Sequence, residues 1–237
     1  MFSVPRHRLA SLNVDSTARL LFVGDLHGEI GALDKILYKI GFSDADHIVA
    51  TGDLIDRGTD SEATLRAFRD RPNFHSVVGN HEHMMYNCLR KQYPVRPWYN
   101  NGGMWSFHLS DSTKNALADI CESLPHILTI QHRGQKYGVT HAGLPHACYD
   151  WDDIDKNTDL LWQRDIISNP EVYVKRPIKN VNFTVQGHTP IEQPMLVANR
   201  AYIDTGAYVH GVTLVEFING VPYSATQDKV WTKLSSW

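Results

Sequence analysis

Leu20-Leu21-Phe22-Val23-Gly24-Asp25-Leu26-His27-Gly28 is a short apolar run that breaks at a glycine into a polar turn, and beyond it the period changes. Ile30, Leu33, Ile36, Leu37 and Ile40 recur at helical spacing, so this stretch predicts a buried strand, a loop and an amphipathic helix in succession. The pattern recurs. His47 to Thr51 runs into Gly52, with a helix expected over Ser61 to Asp70, and Phe74 to Val78 runs into Gly79, with a helix expected over Glu82 to Gln92. Successive strand, loop and helix units imply an α/β sheet. The second half reads as β-rich, with strands expected over Ile127 to Gln131, Lys136 to Thr140, Val181 to Val185, Met195 to Ala198, Ala201 to Ile203 and Val212 to Phe217. Tyr93 to Met104 and Gly143 to Lys179 are less regular, and both carry tryptophan and proline. They are expected to border the site, with their aromatics packing loops onto the core rather than doing chemistry.

No repeat, low-complexity tract or linker divides the 237 residues, so a single catalytic domain over 1–237 is expected, with its motif core from about 20 to 217. A formal charge of −3 with 42% hydrophobic residues describes an ordinary globular protein, and without a basic excess no stable nucleic-acid binding is expected. Cys88, Cys121 and Cys148 are too few and too far apart for a disulfide framework or a Cys-x-x-Cys zinc site, which points to a reducing compartment. Met1 to Arg19 has no apolar signal-peptide segment and no later run reaches membrane-spanning length, so a cytoplasmic protein without membrane association is expected. Nothing in the sequence sets the oligomeric state.

Five polar motifs each follow an apolar strand-like run: Gly24-Asp25-Leu26-His27-Gly28, Gly52-Asp53-Leu54-Ile55-Asp56-Arg57-Gly58, Gly79-Asn80-His81-Glu82, His141-Ala142-Gly143 and Gly187-His188-Thr189. In open α/β sheets such loops converge at the carboxyl ends of strands, where residues distant in sequence meet. The meeting residues would be Asp25, His27, Asp53, Asn80, His141 and His188, a set of carboxylates, one amide and imidazoles without a thiolate. That set suits manganese, iron or zinc and suits copper(I) or an iron–sulfur cluster poorly. It exceeds the needs of one structural zinc, so two divalent ions sharing a carboxylate are inferred. Such a pair lowers the pKa of a bound water and binds phosphoryl oxygens while the hydroxide attacks in line. Taken alone, an Asp-x-His loop is more often a turn, and Asn80 at the start of a helix could be an N-cap. The conjunction of five such turns carries the argument.

In this order the motifs resemble the calcineurin-like metallophosphoesterases, in the phosphoprotein phosphatase branch, over about Leu20 to Phe217. Asn101-Gly102-Gly103, Trp162-Gln163-Arg164 and Tyr202-Ile203-Asp204-Thr205-Gly206-Ala207 make the likeness strongest to the lambda-type bacteriophage and bacterial serine/threonine phosphatases. The resemblance implies a four-layer fold, with two central mixed β-sheets packed face to face and flanked by helices. It implies that Asp25, His27 and Asp53 hold one metal, and Asp53, Asn80, His141 and His188 the other, with Asp53 bridging. His81 would protonate the leaving oxygen and Asp56 would orient its imidazole, while Arg57 and Arg164 would grip phosphate through paired guanidinium donors. Glu82 and Asn101 are weaker candidates with a supporting role. Manganese is the expected metal, with iron and zinc as alternatives.

The implied function is hydrolysis of phosphoserine or phosphothreonine, with phosphotyrosine a further substrate, in a phosphorylated protein or peptide. Because His141-Ala142-Gly143 also fits the symmetrical diadenosine tetraphosphate hydrolases, cleavage of dinucleotides is the alternative. A metal-dependent nuclease fits the absence of a basic excess poorly. A non-catalytic binding module would have no need for the ligand set together with His81, Asp56, Arg57 and Arg164.

Overall fold

Leu20 to Val23 form a strand buried on both faces, and its alternation divides the side chains between two cores. Leu20 and Phe22 enter one core with Val49, Val215 and Phe217 and, from the opposite sheet, Ile130 and Val139. Leu21 and Val23 enter the other, beside the helix residues Leu33, Ile36 and Leu65. These facts come from a computed structural model that describes residues 7–145, 147–155, 157–164, 169–174, 176–229 and 231–236. The alternation requires cover on both faces, which a second sheet provides on one side and helices on the other.

Among the described residues, one sheet has the strand order β12 (Thr232–Lys233), β11 (Val221–Ala225), β10 (Leu214–Ile218), β2 (Leu20–Val23), β3 (His47–Ala50), β4 (Phe74–Ser76). In it β2, β3 and β4 are parallel, and β10 pairs antiparallel to β2. The other sheet has the order β1 (Leu9–Asn13), β5 (Ile127–His132), β6 (Gln135–Val139), β7 (Phe183–Gln186), β9 (Arg200–Tyr202), β8 (Met195–Val197), β13 (Ser235–Ser236). Both sheets are mixed, and they pack face to face through an aromatic cluster. Phe22 lies 5.8 Å from Phe217 edge-on, and Phe217 lies 4.5 Å from Phe183. Such pairs add about 0.5–1.5 kcal/mol each beyond their burial.

Helices α1 (Ile30–Lys39), α2 (Ser61–Asp70), α3 (Asn80–Arg90), α4 (Val95–Asn100) and α5 (Asp111–Ser123) supply the helical residues of the second core, among them Leu33, Leu65, Met85, Trp98 and Leu117. The outer side of the seven-stranded sheet is covered differently, since Ile127 packs there with Leu144, Cys148, Trp151, Leu160 and Ile178 from the stretch 143–179. Among the described residues the flanking layers are therefore unequal, one mainly helical and the other mainly turns and loops.

Several expected boundaries move. Helix α3 starts at Asn80, two residues before the expected Glu82, because Gly79 takes the N-cap position and Glu82, the third helical residue, reaches back to accept from its N–H at 2.8 Å. Asn80 is thus inside the helix and the N-cap reading for it is set aside. Tyr93 to Met104 is more regular than expected, containing α4 and the start of a 3-10 turn over Gly103–His108. Strands β1 and β11 and the thirteen-residue helix α5 have no counterpart in the sequence reading. No helix among the described residues is long and apolar enough to cross a membrane.

Candidate metal centre

All five motifs leave the carboxyl ends of β2, β3, β4, β6 and β7, and the strands β2 to β4 and β6 to β7 are parallel within their sheets. The ends of both sheets therefore deliver their loops to one edge of the sandwich. The turns are unusual in the backbone. His27, Asp53, Asp56, Arg57 and His188 all have positive φ, between 45° and 73°. Each such non-glycine residue costs on the order of 1–3 kcal/mol unless its surroundings enforce it, and such residues gather at functional sites.

The surroundings here are hydrogen bonds that anchor the turns. The buried Glu82 carboxylate accepts from the amides of Gly79, Asp53, Leu54 and Ile55 at 2.8–3.2 Å, tying the loop after β3 to the start of α3. Burial and the neighbouring Asp53 push its carboxyl up to about 8, against the amides that favour its charged form. Close approach fixes two glycines: a Cβ at Gly79 would stand 2.1 Å from Asp53 Oδ1, and one at Gly187 would stand 2.1 Å from Asp25 Oδ1.

The six ligand candidates are all buried. Asp53, His141 and His188 offer ligand atoms within 4.8 Å of one another, as do His27, Asp53 and His81, so Asp53 belongs to both groups. Asn80 Oδ1 joins the first group, 2.8 Å from His141 Nε2 and 2.9 Å from His188 Nδ1. Asp25 sits at the margin, accepting from the Thr51 hydroxyl at 3.1 Å and the His188 amide at 3.0 Å, with His141 Nδ1 3.9 Å away. In the first-metal group the sequence pairs His27 and Asp53 with Asp25, whereas the tightest geometry pairs them with His81.

The imidazoles are prepared as neutral donors. His27 Nδ1 donates to the Ile55 carbonyl at 2.9 Å and His141 Nδ1 to the Thr51 carbonyl at 2.8 Å, which leaves each Nε2 lone pair turned into the cluster. Burial lowers His27 to about 4 and His188 to about 3, and lowers His141 as well. For Asp53 burial alone would raise the pKa, but His141, His81 and His27 outweigh it and hold the carboxylate well below its usual range. Asp25 is pushed well up by burial and by Asp204 and Asp53. Neutral imidazoles beside crowded carboxylates, with no thiolate, fit divalent ions of the manganese, iron and zinc kind.

On the open side, His81 Nδ1 contacts Asp56 Oδ2 at 2.6 Å, and Arg57 reaches His27 Nε2 at 2.9 Å and His81 Nε2 at 3.0 Å. Burial works against charge on His81, but Asp53 and Asp56 prevail and raise its pKa. A cleft of about 540 Å³ opens over these groups, with Arg57, His81, Asn101, Trp162, Arg164 and Tyr208 in its lining. Arg164 is exposed there, and its charge helps lower His188.

The sequence reading gives no role to four residues that contribute. Asp204, quoted only as part of a motif, is buried beside Asp25 and raised to about 6 by that burial. Tyr208 places its ring edge 5.2 Å from His27 and lies under the Arg57 guanidinium. The indoles of Trp98 and Trp105 donate to Asp56, so these aromatics do more than pack. An acid within a quoted motif is the one available signal, and the contacts of Tyr208, Trp98 and Trp105 have no sequence signature.

Residues 18–220 match the sequence pattern of a family described as calcineurin-like phosphoesterase. Serine/threonine-protein phosphatase 2 of Salmonella typhimurium is 34% identical over 211 residues, covering 86% of this chain and 94% of that protein. A symmetrical bis(5'-nucleosyl)-tetraphosphatase of Shewanella baltica is 46% identical over a shorter span of 67 residues, 27% of this chain and 24% of that protein. Among solved structures, a chain described provisionally as a diadenosine tetraphosphatase superposes with a TM-score of 0.67 at 20% identity, covering 93% of this chain and 98% of that one. At that identity the likeness concerns the fold.

Proposed function

The chain belongs to the calcineurin-like phosphoesterase family, and on that premise we propose that it is a dinuclear metal-dependent phosphoprotein phosphatase acting on phosphoserine and phosphothreonine monoesters. The observation that carries the reading is one cleft in which a buried carboxylate, amide and imidazole cluster forms the floor while Arg57 and Arg164 line the walls. Asp25, His27 and Asp53 would hold one ion and Asp53, Asn80, His141 and His188 the other, with manganese preferred and iron or zinc as alternatives. When bound, the ions would supply Lewis acidity toward the phosphoryl oxygens and an activated water.

The chain's own residues have the remaining tasks. Arg57 contacts the Nε2 atoms of His27 and His81, both neutral acceptors when unprotonated. A phosphate dianion is a stronger acceptor, so substrate draws the guanidinium away and frees His81 Nε2 to face the leaving oxygen. Asp56 holds Nδ1 of that ring and favours the imidazolium that donates the proton. Unpaired Cys88, Cys121 and Cys148 are consistent with a reducing, cytoplasmic setting.

Identity of 34% to a protein phosphatase over 211 residues, against 24% over 210 residues to an asymmetrical bis(5'-nucleosyl)-tetraphosphatase of Oceanobacillus iheyensis and 67 shared residues with the symmetrical one, favours a phosphoprotein substrate. The test compares kcat/KM in Mn²⁺ for a phosphoserine or phosphothreonine peptide with that for diadenosine tetraphosphate. Preference for the peptide is expected. Preference for the dinucleotide would keep the metal chemistry and reassign the substrate.

A further inference from the structure

The buried Asp56 carboxylate takes three side-chain contacts. His81 Nδ1 lies 2.6 Å from Oδ2, Trp98 Nε1 donates to Oδ2 at 2.9 Å, and Trp105 Nε1 donates to Oδ1 at 2.6 Å. The Asp56 amide is fixed separately, donating to Ser61 Oγ at 2.8 Å. An indole N–H can only donate, so both carboxylate oxygens are engaged as acceptors and the Nδ1 atom of His81 is the donor of its pair. The remaining ring nitrogen, Nε2, belongs to the cleft.

We propose that Trp98 and Trp105 are positioning residues for proton transfer: by clamping the Asp56 carboxylate they aim His81 Nε2 at the leaving-group oxygen. The inference rests on the phosphatase reading above. Two further features support it. A Cβ at Gly103 would stand 2.5 Å from Trp98 Nε1, so the Asn101-Gly102-Gly103 turn provides the space in which that indole reaches Asp56. Asn100, Asn101 and Gly102 also line the cleft, so the segment that carries the clamp is itself a wall against which substrate lies. Packing does not demand the indole nitrogens, because Trp105 is only half-buried and a phenyl ring would fill much of the same space.

The test is a leaving-group series of phenyl, p-nitrophenyl and 2,4-dinitrophenyl phosphate, run on the Mn²⁺-loaded wild type, Trp105→Phe, Trp98→Phe and His81→Asn. A good leaving group departs with little help from an acid, whereas phenolate requires its proton. Trp105→Phe is expected to lower kcat on phenyl phosphate about tenfold and kcat on the dinitrophenyl ester less than about twofold, with KM and metal content unchanged. His81→Asn should show the same selectivity, more strongly. An equal loss along the series, or none, would overturn the clamp while leaving the phosphatase reading intact. Should Trp98→Phe fail to fold, the half-buried Trp105 carries the test alone. A wild type that cleaves no monoester, or a His81→Asn variant without leaving-group selectivity, would overturn the acid assignment and the clamp together.

Discussion

The two sides of the cluster are built to different plans. Asn80, His141 and His188 come from loops of both sheets, and their nitrogen and oxygen atoms meet each other at 2.8–2.9 Å deep in the protein. His27, Asp56, Arg57 and His81 come from the six-stranded sheet alone, and an exposed guanidinium covers the Nε2 atoms of both imidazoles. Where the side chains meet one another and His188 Nε2 is buried without a hydrogen-bond partner, the arrangement is suited to holding an ion. Where two imidazole nitrogens are covered by an exposed guanidinium, the arrangement is suited to the proton transfer proposed above. Asp53 belongs to both sides, since its Oδ1 lies 3.5 Å from His141 Nε2 and its Oδ2 lies 3.8 Å from the Nε2 atoms of His27 and His81.

Removing the shared charge should therefore have the largest effect. Asp53→Asn keeps the shape and is expected to lower kcat by more than about 10³-fold, with metal content per chain falling in elemental analysis. Near-normal turnover in that variant would dismantle the two-sided scheme. A paired comparison then separates the sides. His141→Ala should lose metal and regain activity in part at high Mn²⁺, whereas His81→Asn should retain its metal and lose roughly 10²-fold in kcat whatever the Mn²⁺ concentration. If both responded alike to added metal, holding and reacting would not be separable functions. Arg164→Ala comes next, with roughly a ten- to hundredfold fall in kcat/KM on a phosphopeptide, the scale of one charge-assisted hydrogen bond to phosphate. An unchanged value would remove Arg164 from substrate contact despite its place in the cleft lining.

The holding side was the more legible in sequence. Each of its residues stands two or three positions after a run whose apolar character follows from burial, as at Tyr137 to Val139 before His141 and at Val185 before His188. The reacting side depends on contacts across sequence that no local pattern encodes, Asp56 to Trp98 over 42 residues and to Trp105 over 49. Its left-handed turns at Asp56 and Arg57 occur without glycine at either position, the Asp56 amide donating to Ser61 Oγ five residues on. Elsewhere the misses have local causes. Helix α5 buries Leu117, Ala118, Ile120 and Cys121, a weakly apolar face, although Ser110 caps it by accepting from the Thr113 amide. Strand β1 has no buried residue and is defined by its parallel pairing with β5. Strand β11 carries Pro222, which demotes a strand reading.

Tyr208 gives the finest test of the difference between the sides, because it touches only the reacting one. Its ring stands edge-on to His27 at 5.2 Å, and the Arg57 guanidinium carbon lies 5.3 Å from the ring centroid. A partly exposed cation–π contact of this kind contributes about 0.5–1 kcal/mol, and it orients Arg57 whether the guanidinium rests on the imidazoles or turns toward phosphate. Tyr208→Leu should accordingly raise KM for a phosphopeptide about two- to fivefold with kcat little changed, while Tyr208→Phe, which keeps the ring, should leave KM near the wild-type value. Steady-state kinetics on the two variants decides the point. Equal falls in kcat and kcat/KM for Tyr208→Leu would mean that the ring acts on the transition state rather than on phosphate capture. The contact would then belong with the Asp56–His81 pair, and Arg57 would have to be regarded as part of the proton-transfer apparatus as well as of the binding wall.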